Sequence, residues 1–261
     1  VETYLAKQCN LSRFDPHHFG LGESAEEKAF SKWRLEERLF LNPLNDLGAW
    51  PIAAQDVFHL PGHTYEFEEE VRFPRYYDLI KQEYVAACVL LHEGLDADQI
   101  HHADRTLLTF DHADYSVSSV QIEKQKAAFR LAYSVLDKCS AFINDYYEIG
   151  HDPNSLNASF RKVWFKRGKK GLSGSLPQEN WRLRGLYALS LDLFDEDMKE
   201  VASPLAMSAN NLRNAVEHRF LSVYEYGIPE QAPALNEVVT IGDLENLSLH
   251  MLRLAREAII G

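Results

Sequence analysis

From residue 77 onward, apolar side chains return every three or four positions, the spacing that lays them along one side of an α-helix. Tyr77 to Glu93 carries Leu79, Ile80, Tyr84, Ala87, Cys88 and Leu91 in this way and is predicted to be a buried helix, with Gly94 just beyond its end. The longest pattern runs from Ser119 to about Ile149 through Ala128, Leu131, Ala132, Val135, Cys139, Phe142, Ile143 and Tyr146, and Gly150 and Pro153 close it. A third helix is predicted over roughly Gln178 to Lys199 and a fourth within Pro204 to Tyr226, broken by Gly227, Pro229 and Pro233. The last starts near Thr240, with Asp243 in its first turn, and uses Leu244, Leu247, Leu252, Leu254 and Ile259. Strand-like alternation is confined to Thr106 to Phe110.

The first 75 residues read differently. Ser24-Ala25-Glu26-Glu27 is a capping box in front of a short helix over Lys28 to Phe40, with Phe30, Trp33 and Leu39 on one side. Around it, Asn42-Pro43-Leu44-Asn45-Asp46, Trp50-Pro51, Leu60-Pro61-Gly62 and Phe73-Pro74 are turn chemistry. The expected fold is therefore all-α: an antiparallel helical bundle over 76–261, with an irregular, partly helical N-terminal extension over 1–75 packed on it.

Composition agrees with a globular chain: of 261 residues 46% are hydrophobic and 25% charged, which excludes disordered and collagen-like classes. The longest apolar run, Val85 to Leu91, is far too short to span a bilayer, so no membrane partner is expected. Three cysteines without C-x-x-C spacing fit neither a disulfide framework nor a zinc ribbon and suggest a cytoplasmic home. A start at Val1 suggests a fragment or a processed product. The net charge of −12 means that any contact with a nucleic acid has to be local.

Candidate chemistry sits in the fourth helix, in Arg213-Asn214-Ala215-Val216-Glu217-His218. A histidine can move a proton at neutral pH, and an arginine offers a fixed fork of donors to a phosphate gaining charge. Neither role needs a metal or other cofactor. On one regular helix the stripe Leu205, Ala209, Leu212, Val216, Phe220 and Val223 faces the core, leaving Arg213 well round from His218. Two arrangements ease this. Asn214 and Glu217 resemble a capping box that would begin a helix at the motif. Alternatively, the polar face meets the same face of a second copy, supplying the two histidines that 2′-oxygen attack and 5′-oxygen departure require. A solvated helix face with an Arg213–Glu217 pair is the plainer alternative.

That motif resembles the signature of the HEPN superfamily of helical RNA-cleaving and nucleotide-binding domains. The likeness extends to a branch often joined to tetratricopeptide repeats, through Gln82-Glu83-Tyr84-Val85, Lys126-Ala127-Ala128-Phe129-Arg130, Tyr133-Ser134-Val135-Leu136-Asp137-Lys138, Phe142-Ile143-Asn144-Asp145-Tyr146, Leu186-Tyr187-Ala188-Leu189-Ser190 and Leu254-Ala255-Arg256-Glu257-Ala258. It covers roughly Trp33 to Ile260. The resemblance implies a HEPN-type bundle acting as a dimeric, metal-independent endoribonuclease, a toxin or antiviral effector that leaves a 2′,3′-cyclic phosphate. His218 would be the acid or base, Arg213 would hold the phosphate and Asn214 would orient either. It also implies RNA and a second copy as partners, with an upstream tetratricopeptide-repeat region or an antitoxin as further ones. Some relatives only bind, so a non-catalytic dimerisation or nucleotide-binding module is the alternative. Phe220 stands where some relatives carry a tyrosine that a partner nucleotidyltransferase modifies with AMP.

Further candidates lie outside the motif. Arg130, Asp137 and Asn144 recur every seven residues as a polar stripe that could line a substrate cleft, or simply a solvated edge. Arg161 to Lys170 gathers six cations with Trp164 and Phe165, so that Lys166 and Arg167 could grip RNA phosphates while a ring stacks on a base. A solvated loop whose Trp164 plugs the core is the competing reading. His101-His102 and His112 lack metal-ligand spacing, and no phosphate-cradling glycine motif is present.

Overall fold

A computed structural model describes residues 15, 17–60, 71–96, 100–108, 115–165, 172–177, 179–194, 204–227 and 236–261, with side chains at all of these except 157, 204–207, 210 and 218. The chain divides into two compact units, Val1–Phe58 and His59–Gly261. The boundary expected at 75/76 falls inside the first long helix of the second unit.

In the first unit, α1 (Ala25–Glu36) starts at the expected capping box: the Glu27 N–H donates to Ser24 Oγ at 3.0 Å and the Ser24 N–H to Glu27 Oε2 at 3.4 Å. It stops four residues short of Phe40, and Arg38 takes a left-handed φ of 58° to turn the chain. A small core of Leu35, Phe40 and Ala53 is closed by a partly buried ion pair, in which Arg34 forks onto both carboxylate oxygens of Asp56 at 2.9 Å. Asn45, in the one-turn α2 (Leu44–Leu47), accepts from the Phe40 N–H and donates to the Leu35 carbonyl.

The second unit is a helical bundle. Its centre is α3 (Arg72–Gly94), α4 (Val120–Tyr146) and, at the chain's end, α7 (Ile241–Ile260). Phe73 at the start of α3 packs edge-on against Phe142 and Tyr146 at the end of α4, while Lys124 at the start of α4 pairs with Glu93 at the end of α3. These two helices are therefore antiparallel. Likewise the Tyr77 hydroxyl, in the second turn of α3, donates to the Ile259 carbonyl at the end of α7. α5 (Trp181–Phe194) begins where Asn180 caps two N–H groups, and Arg182 reaches the Ile260 carbonyl. α6 (Pro204–His218) packs against α4, α5 and α7. None of the helices described is long and apolar enough to cross a membrane.

Several boundaries differ from the sequence reading. α3 starts five residues before Tyr77, because Pro74 occupies its first turn, where a missing N–H breaks no intrahelical bond. Gly94 is the last residue of α3 and not a left-handed residue beyond it. Glycine is needed there because a Cβ would lie 2.9 Å from Gln125 Cγ and 3.0 Å from the Gln121 carbonyl. The fourth helix ends at His218, and the next residues are a strand. β1 (Ser116–Val117) pairs antiparallel with β2 (Phe220–Tyr224), which pairs parallel with β3 (Asn236–Thr240). Thr106 lies in a turn, 107–108 form no strand, and 109–110 are outside the described residues. Thr240 ends β3 and caps α7 in a full capping box with Asp243, so the helix begins where the sequence indicated.

Candidate functional site

α6 is fixed by Ala209, Leu212 and Ala215, each no more than 1% exposed. The motif fills the C-terminal end of this helix. An N-cap at Asn214 is therefore excluded: the helix is already ten residues old there, and its end presents carbonyl groups, not free N–H groups.

Arg213, next to Leu212, leans toward α4. Its guanidinium carbon lies 4.8 Å from the Tyr133 ring centroid, and its Nη2 is 3.1 Å from Glu217 Oε2 one turn on. Its Nε–H is buried and has no acceptor among the described residues. The phenol of Tyr133 is pushed far above its usual range, first by burial and against the pull of Arg213, so it stays protonated. One turn further along α4, burial raises the Asp137 carboxyl, opposed by the Phe160 N–H and by Arg213, while Glu217 adds to the rise. Asp137 Oδ1 accepts that N–H at 3.1 Å. The arginine of the motif thus lies among two carboxylates and a phenol, at the edge of the core.

Asn214 is exposed, and His218 is the last residue of α6, its side chain outside the described residues. Five positions along a regular helix turn through about 140° net, which places Arg213 and His218 on different sides of α6. Within one chain the helix alone does not aim them at a common point.

The expected polar stripe of α4 divides into three. Arg130 is exposed beside the start of β2, and Asp137 flanks Arg213 as described. Asn144 is buried, donating to the His151 carbonyl and accepting from the His151 N–H, both at 3.0 Å. It clamps the loop after α4 through both its amide oxygen and nitrogen, and its burial keeps it from lining an open cleft. Trp164 is 1% exposed and donates its indole N–H to the Phe160 carbonyl at 2.7 Å, so its ring plugs the core and offers no stacking face. Lys166 and Arg167 lie outside the described residues. Sequence reasoning named neither Tyr133 nor Arg219 as site residues. For Tyr133 the signal was its i,i+4 spacing from Asp137, and for Arg219 its place directly after the motif.

Neither a curated protein nor a solved structure matches the chain. The family model of the LA2681-like HEPN domains does, over residues 64–261, which takes in the whole bundle with its sheet and the Arg213 to His218 motif. That match covers well over half of the sequence, and the chain belongs to the LA2681-like HEPN family.

Proposed function

We propose that the protein is a metal-independent endoribonuclease whose site forms where two copies bring the ends of their α6 helices together. In the reaction, one imidazole takes the proton of a 2′-hydroxyl, the 2′-oxygen attacks the adjacent phosphorus, and the 5′-oxygen leaves with a proton from a second imidazole. The products are a 2′,3′-cyclic phosphate and a 5′-hydroxyl. One copy supplies one His218, so a twofold pair supplies the base and the acid. Arg213 holds the phosphate oxygens as charge builds on them, and Asn214 orients the phosphate or the histidine. A toxin or antiviral effector is the biological role that suits such an activity.

The observation that carries this reading is the half-exposed Arg213 guanidinium, with an Nε–H that finds no acceptor among the described residues, on the same last turns of α6 as His218. A non-catalytic dimerisation or nucleotide-binding module is favoured by one feature, the carboxylate of Glu217 that already occupies Arg213 Nη2. The two separate when RNA is incubated with the purified chain in EDTA and the products are assayed for cyclic phosphate. Cleavage that persists under chelation and drops about 10²- to 10⁴-fold in His218→Ala is the expected result. A dimeric sample that cuts no RNA selects the binding module, and cleavage unchanged in the variant removes His218 from the chemistry.

A further inference from the structure

Beside the end of α6 lies a cleft of about 300 Å³, lined by Lys126 and Arg130 of α4 and by Arg219, Phe220 and Leu221 where α6 gives way to β2. Its charge runs against that of the acidic chain. Lys126 is satisfied within the fold: its Nζ lies 2.8 Å from Glu123 Oε1, the carboxylate at the rim, and 3.2 Å from the Leu221 carbonyl. Arg130 and Arg219 are both exposed, and neither forms an ion pair with a described residue. Phe220, 73% exposed at the first position of β2, is an aromatic face at the same cleft. Arg219 is the one residue between His218 and Phe220, so the cleft begins where the motif ends.

Two exposed guanidiniums that pair with no described residue, next to an exposed ring, are the parts needed to hold an unpaired nucleotide: the cations take phosphate oxygens, and the ring stacks on the base. The volume is at the lower end for a small-molecule pocket and suits one nucleotide better than a longer segment. We propose that this cleft is the subsite for a nucleotide neighbouring the cut, with Arg130 and Arg219 on its phosphate and Phe220 against its base. The proposal rests on the ribonuclease reading for its choice of RNA. Stacking on Phe220 requires an unpaired base, so the preferred substrate is single-stranded RNA, with little discrimination among bases at this position.

The test is equilibrium binding of a short, fluorescently labelled single-stranded RNA to the full chain, in a His218→Ala background where nothing is cut. Phe220→Ala is expected to weaken binding about tenfold, with Phe220→Trp restoring it. Arg130→Gln and Arg219→Gln should each weaken it and lower the slope of log Kd against log salt by about one. The same RNA annealed to its complement should bind less tightly and be indifferent to Phe220→Ala. Affinities and salt slopes unchanged in all the variants, or no measurable binding, overturn the proposal. So does a Phe220→Ala chain that turns monomeric in sedimentation while its RNA affinity is unchanged, because Phe220 then belongs to a contact between copies. The two readings fail separately. Variants that lose binding in a chain that cuts no RNA leave the cleft standing without the nuclease, whereas His218-dependent cutting with unaltered binding in the variants removes the cleft alone.

Discussion

Arg213 is held by contacts that a phosphate would have to replace. Glu217 takes one of its nitrogens, and the Tyr133 ring lies under the guanidinium plane. Asp137 adds a carboxylate kept partly out of water, with its acidity weakened by burial. Because its pKa is raised above the unfolded value of 3.8, the folded state holds this proton more tightly, and the stability linked to it is complete at low pH. That contribution is lost as pH climbs through the folded pKa. Asp137→Asn keeps an oxygen for the Phe160 N–H and carries no charge. Thermal unfolding from pH 4 upward should therefore decline more steeply in the native chain than in the variant, and parallel curves would show that burial does not perturb this carboxyl. At this scale the sequence singled out the arginine and histidine by their spacing, and the structure sets both on the last turns of α6. It could not reveal that Asn144 is consumed by the His151 backbone, because that depends on a loop folding back seven residues later.

Among the elements, α3 and α4 approach closely at Gly94. A methyl group there meets Gln125, whose side chain is not free to swing away because its Nε2 donates to the Gly94 carbonyl at 2.9 Å. Gly94→Ala is accordingly expected to destabilise the protein by about 1–3 kcal/mol, the usual cost of overpacking, measurable by urea unfolding. The gain in helix propensity from alanine is below about 1 kcal/mol and does not offset it. Three helix starts were legible: the Ser24 capping box stands where the sequence put it, and Ser119 and Thr240 cap the two helices expected to begin near them. The strands were not. Val216, Phe220 and Val223 keep a helical spacing straight through the end of α6, so the apolar period does not change where the structure does. What decides in favour of a strand is pairing with β1 and β3, which no local window contains.

For the whole molecule, the all-α architecture could be read because most of its burial follows one period, and the match over residues 64–261 agrees with that reading. The place where the two units divide could not, since Phe73 and Pro74 look like a boundary and lie in the first turn of a helix. The bundle core encloses Cys88 and Cys139, and burial pushes the Cys139 thiol up to about 12. Native protein should therefore take up at most one equivalent of a thiol reagent, at Cys9, against three after denaturation. Faster labelling would mean that the bundle opens more readily than its packing indicates. β2 is bonded along both edges and β3 leads directly into α7, while a single residue joins β2 to α6. The main chain of His218 is thereby moored to the sheet, so an added residue between His218 and Phe220 would shift the end of α6 against β2 and, on the ribonuclease proposal, abolish cutting with every residue of the motif left intact.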